Sequence, residues 1–319
     1  MNEIFFLIFA FLTVFLSIKI SYYADGLSKT TNVSKALVGG LILAGVTALP
    51  ELVTCLSAIL IKNEALAMGD ILGSNLFNLF MICFFDLIFI KKLLFHKTAK
   101  DNNIVITILL VNYIILYLFT KHLIKTSILS IGIPTIMIIL TYIIYIKSIP
   151  KHEERQTISI NNKDLANTLT IKLIISSIIM IMSSIFLTVI VNNLSIEHPS
   201  FSSSYLGAIF LGVTTSLPEV VTFYTLVSIN SYDIALSNIL GSNLFNLLVL
   251  SIGDLVSIKS PIYTSADKDT TTLIILGIIF LTFLLVSNTN KKQKVIPYGL
   301  LSFIVVITYL FFWIFKFIG

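Results

Sequence analysis

The chain has 319 residues, of which 56% are hydrophobic and only 12% are charged, and its formal net charge is +5. Soluble domains have about 25% charged residues, and the mean hydropathy of this chain is +0.99. This composition excludes a soluble enzyme, a nucleic-acid-binding domain and a disordered chain. The two cysteines, Cys55 and Cys83, lie in apolar segments without the spacing of a metal site.

Ten apolar runs follow one another along the chain, and each is close to the ~20 residues that a helix needs to span a bilayer. Their boundaries are 3–23, 36–61, 65–90, 103–120, 127–147, 168–191, 203–229, 232–257, 271–287 and 296–316. We therefore predict an all-α membrane protein with ten transmembrane helices. With the N-terminus outside, most of the 21 Lys and Arg residues fall on inner connections, as basic residues prefer. This predicts a multi-pass protein of the cell membrane with both termini extracellular.

The chain contains an internal repeat. The segment ILGSNLFNL occurs at 71–79 and again at 239–247, and the same shift of 168 residues relates Glu51 to Glu219. Such self-similarity at a fixed spacing indicates a duplicated unit. Each unit has five predicted spans, so the second enters the membrane with opposite polarity, as in many transporters. We predict a first five-helix repeat at 1–150 and a second five-helix repeat at 168–319. A cytoplasmic linker at 151–167 joins them.

Each repeat places a glutamate deep in an apolar run, directly after a proline. These residues are Glu51 and Glu219, and the central part of neither run contains Lys or Arg. An acidic group at the bilayer centre costs about 3 kcal/mol on insertion scales, so cations from solution are the natural counter-charge. Proline lacks an N–H and clashes with the preceding turn. We therefore expect a broken helix there, with carbonyl oxygens open to ions.

The G-S-N-x-F-N segment of each repeat adds further oxygen atoms. Ser74 and Asn78 are four residues apart, as are Ser242 and Asn246, so each pair lies on one helix face. The glycine before each serine permits a kink and a close helix approach. Carboxylate, hydroxyl and amide oxygens suit hard cations such as Ca²⁺ and Na⁺, whereas Zn²⁺ and Cu⁺ prefer His or Cys.

At these motifs the sequence resembles the sodium/calcium exchanger family, within the wider cation/calcium antiporters. The resemblance rests on GVTALPELVT and GDILGSNLFNL in the first repeat, and on GVTTSLPEVVT and SNILGSNLFNL in the second. It implies that broken helices 2, 3, 7 and 8 form the core and that helices 1 and 6 slide over it. It also implies Na⁺ entry driving Ca²⁺ extrusion, with about three Na⁺ for each Ca²⁺.

The resemblance also implies a set of ion ligands, carried over by motif position. The implied side-chain ligands are Glu51, Glu219, Ser74, Ser242, Thr47, Thr215 and Ser216. Asn78 and Asn246 flank the central site, and backbone carbonyls near Ala44 and Gly212 complete it.

The chain departs from the family pattern at a few positions. Ala48 lacks a hydroxyl that many members have, and Asp70 stands where many have asparagine. We favour a helix-end cap for Asp70 over a role in ion selectivity. Asn246 replaces the aspartate of the K⁺-dependent branch, which argues against K⁺ co-transport. Pro50 and Pro218 stand where the proton-coupled branch has asparagine, which argues against H⁺ coupling.

Two alternatives to Na⁺/Ca²⁺ antiport are open at this point. One is an antiporter that uses H⁺ or another divalent cation, and the other is a non-transporting membrane cation sensor. We expect no enzymatic activity and no cofactor. The expected partners are the transported Na⁺ and Ca²⁺ ions and the lipid bilayer, without nucleic acid, and we expect a monomer.

Overall fold

The structure is a computed structural model that describes most of the chain. The described residues are 2–30, 48–89, 94–97, 102–123, 127–128, 131–148, 163–228, 230, 232–257, 260–289, 297 and 299–318. The first half contains α1 (Asn2–Thr30), α2 (Leu49–Leu60), α3 (Glu64–Ile88), α4 (Leu94–Lys97), α5 (Asn102–Thr120), β1 (Ser127–Ile128), β2 (Ile131–Gly132) and α6 (Ile133–Ser148). The second half contains α7 (Lys163–Glu197), α8 (Ser203–Leu206), a π-helix (Gly207–Gly212), α9 (Val213–Ser228), α10 (Tyr232–Val256), a 3₁₀-helix (Ile262–Ser265), α11 (Lys268–Thr289) and α12 (Leu300–Ile318).

The described residues form the apolar helices that the sequence predicts. Seven helical segments are long and apolar enough to cross a bilayer, and three shorter apolar helices accompany them. Each of these ten overlaps one of the predicted runs, although run 36–61 is described only from Ala48 onward. Helix α7 begins at Lys163, inside the predicted linker, and residues 151–162 of that linker lie outside the described residues.

The sequence repeat is also a repeat of helices. Both ends of α3 and α10 are related by the 168-residue shift found in the sequence. The pairs α5 and α11, and α6 and α12, correspond under the same shift to within two residues at each end, and α1 and α7 correspond at their C-terminal ends. The two strands β1 and β2 pair antiparallel in a short hairpin before α6.

The centre of the fold is α3. Every residue from Leu66 to Cys83 is buried, which fits a helix that is apolar nearly all round and surrounded by other helices. It packs against α2, α10, α11, α12 and the α8–π–α9 segment. The functional motif of the first half therefore lies in the interior of the bundle.

Glycine lets α3 and the π-helix approach each other at backbone distance. A Cβ added at Gly69 would overlap the Ser204 main chain, and one at Gly73 would overlap Ala208. From the other side, a Cβ at Gly207 would overlap the Leu66 carbonyl. Small residues at four-residue spacing are the usual means of such contact between membrane helices. This contact brings the second half's backbone against the middle of α3.

Helices α1 and α7 form a separate pair beside this core. Leu16, Ile20 and Met180 make a small apolar cluster between them, and the hydroxyls of Thr13 and Ser183 hydrogen-bond at 2.8 Å. Their other faces expose large apolar side chains, as lipid-facing helices do. The pair covers one side of the core, where the Phe6 and Phe210 rings meet and Asn63 donates a hydrogen bond to Asn192 of α7 at 2.7 Å.

A buried aspartate near the end of each core helix binds the last helix of the opposite half. Asp86 of α3 accepts a hydrogen bond from Ser302 of α12 at 2.6 Å. Asp254 of α10 accepts one from Thr135 of α6 at 2.6 Å. These two side chains connect the halves reciprocally at the two ends of the core.

The prediction of breaks in helices 3 and 8 is wrong. Helices α3 and α10 each run for 25 residues as uninterrupted α-helices. A glycine keeps its N–H and C=O, so Gly73 continues the helical hydrogen bonds and serves close packing instead of a kink. Helix 7 is distorted but continuous, since the π-helix leads into α9 with Pro218 inside it. The break of helix 2 is expected at Pro50 and the residues just before it; α2 begins there, at Leu49 with Ala48 as its N-cap, and the residues before Ala48 lie outside the described part of the chain.

Gly73 and its repeat counterpart Gly241 predict a difference in stability. Gly73→Ala should lower the stability of the detergent-solubilised protein by about 1–3 kcal/mol, because the new Cβ would overlap Ala208. Gly241→Ala should be neutral or stabilising, since among the described residues its Cβ would meet only the Tyr145 hydroxyl, at 3.0 Å, and alanine favours the helix. Thermal unfolding of both variants checks this. Equal losses in the two variants would contradict the packing described here.

Candidate cation site

Two glutamates, one from each half, lie in the interior of the bundle. Glu51 belongs to the first turn of α2, with Pro50 directly before it. Glu219 lies in α9 directly after Pro218. Their exposed fractions are 0% and 2%, and the two carboxylates interact electrostatically with each other. The repeat therefore brings its two acidic groups into one region of the core.

These carboxylates have few protein partners. Both oxygens of Glu51 and the Oε2 atom of Glu219 are buried without a hydrogen bond among the described residues. The Oε1 atom of Glu219 accepts a weak one from Ser242, at 3.4 Å. The charges that act on Glu51 in the described part of the chain are those of Glu219 and Asp70, both acidic. Because a buried charge is costly without a partner, this arrangement calls for an external cation.

Hydroxyl and carbonyl oxygens from both halves meet beside the carboxylates. Ser74 of α3 donates a hydrogen bond to the Gly212 carbonyl at 3.2 Å and lies 3.4 Å from the Thr215 hydroxyl. Thr215 donates to the Leu211 carbonyl at 3.0 Å. The Ser216 hydroxyl is buried without a hydrogen-bond partner among the described residues. Three of the predicted ligand positions, at Ser74, Gly212 and Thr215, therefore lie close together, and Ser216 follows Thr215 in the chain.

The chain around Pro218 frees backbone oxygens for this region. Proline has no N–H, so the Thr214 carbonyl loses its usual helical partner. The π-helix ends at Gly212, directly before α9 begins, and π-helical turns of this kind are frequent at functional sites. Backbone carbonyl oxygens in this stretch, such as that of Thr214, are therefore not all used in regular helical hydrogen bonds.

Four asparagines form a reciprocal network between α3 and α10. Asn75 donates to the Asn243 carbonyl at 3.0 Å, and Asn243 donates to the Asn75 carbonyl at 3.1 Å. Asn78 donates to Asn243 Oδ1 at 2.9 Å, and Asn246 donates to Asn75 Oδ1 at 3.1 Å. Each bond has its counterpart under the 168-residue shift. The pseudo-twofold axis of the repeat therefore passes between Asn75 and Asn243.

The sequence analysis did not single out Asn75 and Asn243. Both occupy the same place in the ILGSNLFNL segment, so the identity of that segment in the two halves was the available signal. The two predicted asparagines, Asn78 and Asn246, use their amide nitrogens in this network. Their Oδ1 atoms are buried and have no hydrogen bond among the described residues, so these oxygens are free to face a cation.

Asp70 is not the helix-end cap that we favoured. It lies well inside α3, is fully buried, and its Oδ2 accepts a hydrogen bond from Thr54 of α2. It also interacts electrostatically with Glu51. The first turn of α3 is capped by Asn63, whose side chain accepts from the Leu66 N–H at 3.0 Å.

Two of the predicted ligands are not described. Thr47 and the carbonyl near Ala44 lie outside the described residues. The described residues contain no cluster of three or more His, Cys, Asp or Glu side chains that could hold a metal. The candidate cation site is instead a set of two carboxylates with hydroxyl, amide and carbonyl oxygens.

Comparison with known proteins decides the family. A family model described as "Sodium/calcium exchanger protein" matches residues 3–148 and 168–317, which is nearly the whole chain. This chain belongs to the sodium/calcium exchanger protein family. The resemblance indicated by the sequence motifs is confirmed, and the two matched segments follow the two halves of the repeat.

Individual relatives are more distant. The chain is 24% identical over 278 residues to the inner membrane protein YrbG of Escherichia coli strain K12, covering 84% of each chain. It resembles the solved H⁺/Ca²⁺ exchanger CAX with a TM-score of 0.67 and 13% identity, over 99% of this chain and 88% of that one. It resembles the sodium-calcium exchanger NCX_Mj, soaked with Na⁺ and Sr²⁺, with a TM-score of 0.59 and 17% identity, over 97% and 96%. These structures share the fold of this exchanger.

The reciprocal asparagine network makes a prediction about stability. Asn75→Ala would leave the Asn246 amide without its acceptor and remove the side-chain donor to the Asn243 carbonyl, and an unsatisfied buried group costs about 1–3 kcal/mol. By symmetry, Asn243→Ala should cost a similar amount. The exposed Asn193 serves as a control, and Asn193→Ala should change stability by less than ~0.5 kcal/mol. Thermal unfolding in detergent measures all three, and a neutral Asn75→Ala or Asn243→Ala variant would contradict the network.

Proposed function

We propose that this exchanger moves Na⁺ and Ca²⁺ in opposite directions across the cell membrane through one site that the two ions occupy in turn. The observation that carries the proposal is the pair Glu51 and Glu219. They are buried, act on each other, and leave three of four carboxylate oxygens without hydrogen bonds among the described residues. Two such groups need positive charge that the ions supply.

The proposed ligands combine oxygen types from both halves. Around the two glutamates we place hydroxyls, amide oxygens and backbone carbonyls from the set Ser74, Ser242, Thr47, Thr215, Ser216, Asn78, Asn246, Ala44 and Gly212. This all-oxygen set suits Ca²⁺, which takes 6–8 oxygen ligands in flexible geometry. The free Oδ1 atoms of Asn78 and Asn246 and the free Ser216 hydroxyl support it.

The charge of the site explains why exchange would be obligatory. Two ionised glutamates carry a charge of about −2, which one Ca²⁺ neutralises and three Na⁺ exceed by one. An empty site would keep two unpaired buried carboxylates, which is costly. The empty protein should therefore resist the conformational change that a loaded protein undergoes, and ions would cross in exchange and not by leak.

A stoichiometry of about three Na⁺ per Ca²⁺ would make exchange electrogenic. A tenfold Na⁺ gradient supplies ~1.4 kcal/mol for each ion, hence ~4 kcal/mol for three. A potential of 100 mV adds ~2.3 kcal/mol for the one net charge. Together these terms balance a Ca²⁺ gradient of roughly four to five decades, at ~1.4 kcal/mol each.

The choice between Na⁺ and H⁺ rests on the motif residues, because the fold resembles exchangers of both kinds. Pro50 and Pro218 stand where the resemblance places asparagine in the proton-coupled branch, which favours Na⁺. Asn246 in place of aspartate favours exchange that does not need K⁺. The similarity to the H⁺/Ca²⁺ exchanger CAX keeps H⁺ coupling as the second candidate.

Alternating access would follow from the arrangement of the two halves. We propose halves at 1–150 and 168–319, joined by the segment 151–167 on the cytoplasmic side, with both termini extracellular and the protein working as a monomer. The α1–α7 pair would slide over the core and open the site to one side at a time. The pair meets the core through apolar contacts such as that of the Phe6 and Phe210 rings, and sliding would break the 2.7 Å hydrogen bond from Asn63 to Asn192 of α7.

A flux assay tests the coupling ion. Vesicles loaded with Na⁺ and diluted into Na⁺-free medium should take up ⁴⁵Ca²⁺, and a protonophore should not reduce this uptake. Replacing external K⁺ should not change it, whereas an inside-positive potential should accelerate it, because net positive charge leaves. Uptake that requires a pH gradient and collapses with the protonophore would indicate H⁺ coupling. Saturable Ca²⁺ binding without flux would indicate a sensor.

The two glutamates predict a matched pair of inactive variants. Glu51→Gln and Glu219→Gln keep the side-chain shape but remove the charge, so each should abolish Na⁺-dependent ⁴⁵Ca²⁺ uptake while the protein stays folded in the membrane. Glu64→Gln is the control, since Glu64 lies in the first turn of α3, away from the site. Near-normal uptake by either of the first two variants would overturn the site assignment.

A further inference from the structure

An amide side chain connects the start of α3 with the α1–α7 pair. Asn63, directly before α3, donates a hydrogen bond to Asn192 Oδ1 of α7 at 2.7 Å and to the Ser203 hydroxyl at 3.2 Å. Ser203 begins α8 and so belongs to the core, whereas Asn192 belongs to the pair that would slide in the proposed function. Asn63 therefore joins the part that would move to the part that would stay in place.

The core holds the Asn63 side chain in a fixed orientation. Its Oδ1 atom accepts from the Leu66 N–H at 3.0 Å, which leaves the amide nitrogen to donate to other elements. Its own N–H donates to the Ala58 carbonyl at 2.9 Å, and the Lys62 N–H donates to the Ile59 carbonyl at 2.9 Å. With Lys62 at a φ of 62°, this is a Schellman ending of α2. The donor is thus fixed in the core, and a movement of α7 relative to the core breaks its bond to Asn192.

The connection between α7 and α8 leaves room for such a movement. It consists of residues 198–202 and is folded into a turn, in which the Phe201 N–H donates to the His198 carbonyl at 3.0 Å. Five extended residues span about 17 Å, so a turn of this length has reach in reserve. The covalent connection therefore does not fix α7 against the core, and the side-chain bond to Asn63 contributes to holding it.

The second half of the repeat lacks the residues for an equivalent bond. The 168-residue shift relates Asn192 to Ala24 of α1, and Asn63 to Ser231. In an inverted repeat, the two states of a transporter exchange the environments of the two halves. In the other state, α1 would meet the α9–α10 connection as α7 now meets the α2–α3 connection. Ala24 has no polar side-chain atom, so this hydrogen bond has no equivalent there.

We propose that the Asn63–Asn192 hydrogen bond is a latch that favours the position of the α1–α7 pair seen in this structure over the alternative position. The inference rests on the sliding of this pair in the proposed function. The net contribution of one hydrogen bond changes a two-state equilibrium about 2- to 12-fold. The latch therefore biases the side of the membrane to which the protein is open before any ion binds.

The test measures the position of the pair by double electron–electron resonance in lipid nanodiscs. Spin labels at Ile171→Cys on α7 and Ile88→Cys on α3 occupy exposed positions far along each helix from the latch, and both native cysteines are buried. Asn192→Ala should lower the population at the distance of this structure, relative to a second distance, by about 2- to 12-fold. Asn192→Asp keeps an acceptor for Asn63, so this ratio should stay the same or rise.

Asn193→Ala is the matched control, because Asn193 is the exposed neighbour of Asn192 on the same helix, and its ratio should equal that of the wild type. An unchanged ratio in a folded Asn192→Ala variant overturns the latch, as does an equal fall in Asn193→Ala or in Asn192→Asp. If no second distance is populated in any variant, with Na⁺, with Ca²⁺ or with a chelator, the proposed sliding itself is wrong. Size-exclusion profiles and thermal unfolding establish that each variant is folded.

Discussion

Two like-charged carboxylates buried beside each other are the constraint on which the rest of this structure depends. Glu51 and Glu219 repel one another, and the other charge acting on Glu51 within the described residues is also acidic. Burial of such a pair is costly unless a cation or a proton neutralises its charge. In the proposed exchange the surrounding oxygens, the glycine contacts and the asparagine network shape and hold a pocket for ions.

The pseudo-twofold symmetry explains how one chain builds such a pocket. A duplicated unit supplies each ligand type twice, and α3 and α10 bring the copies together across the axis between Asn75 and Asn243. At their far ends, Asp86 and Asp254 bind the last helix of the opposite half. The halves are thus joined in the middle and at the ends of the core, while the α1–α7 pair lies beside it.

The helices and much of the candidate site could be predicted from the sequence. Hydropathy predicts the helices, and the 168-residue shift identifies the paired glutamates and serines because they occur in both copies of the repeat. Asn75 and Asn243 were missed because a helix buried on all sides has no polar face that spacing can reveal. The kinks expected at Gly73 and Gly241 were wrong; Gly73 serves close packing against Ala208 instead, and sequence alone does not show the neighbouring helix. Asp70 looked like a cap because its distance from the start of α3 was unknown.

The central claim is that Glu51 and Glu219 bind the same ion. The most direct measurement is an anomalous difference map from crystals of the protein soaked in Ca²⁺. The account predicts a single strong peak between the two carboxylates, within coordination distance of both, that disappears when Na⁺ replaces Ca²⁺. A peak bound to one glutamate alone, or two separate peaks far apart, would contradict it.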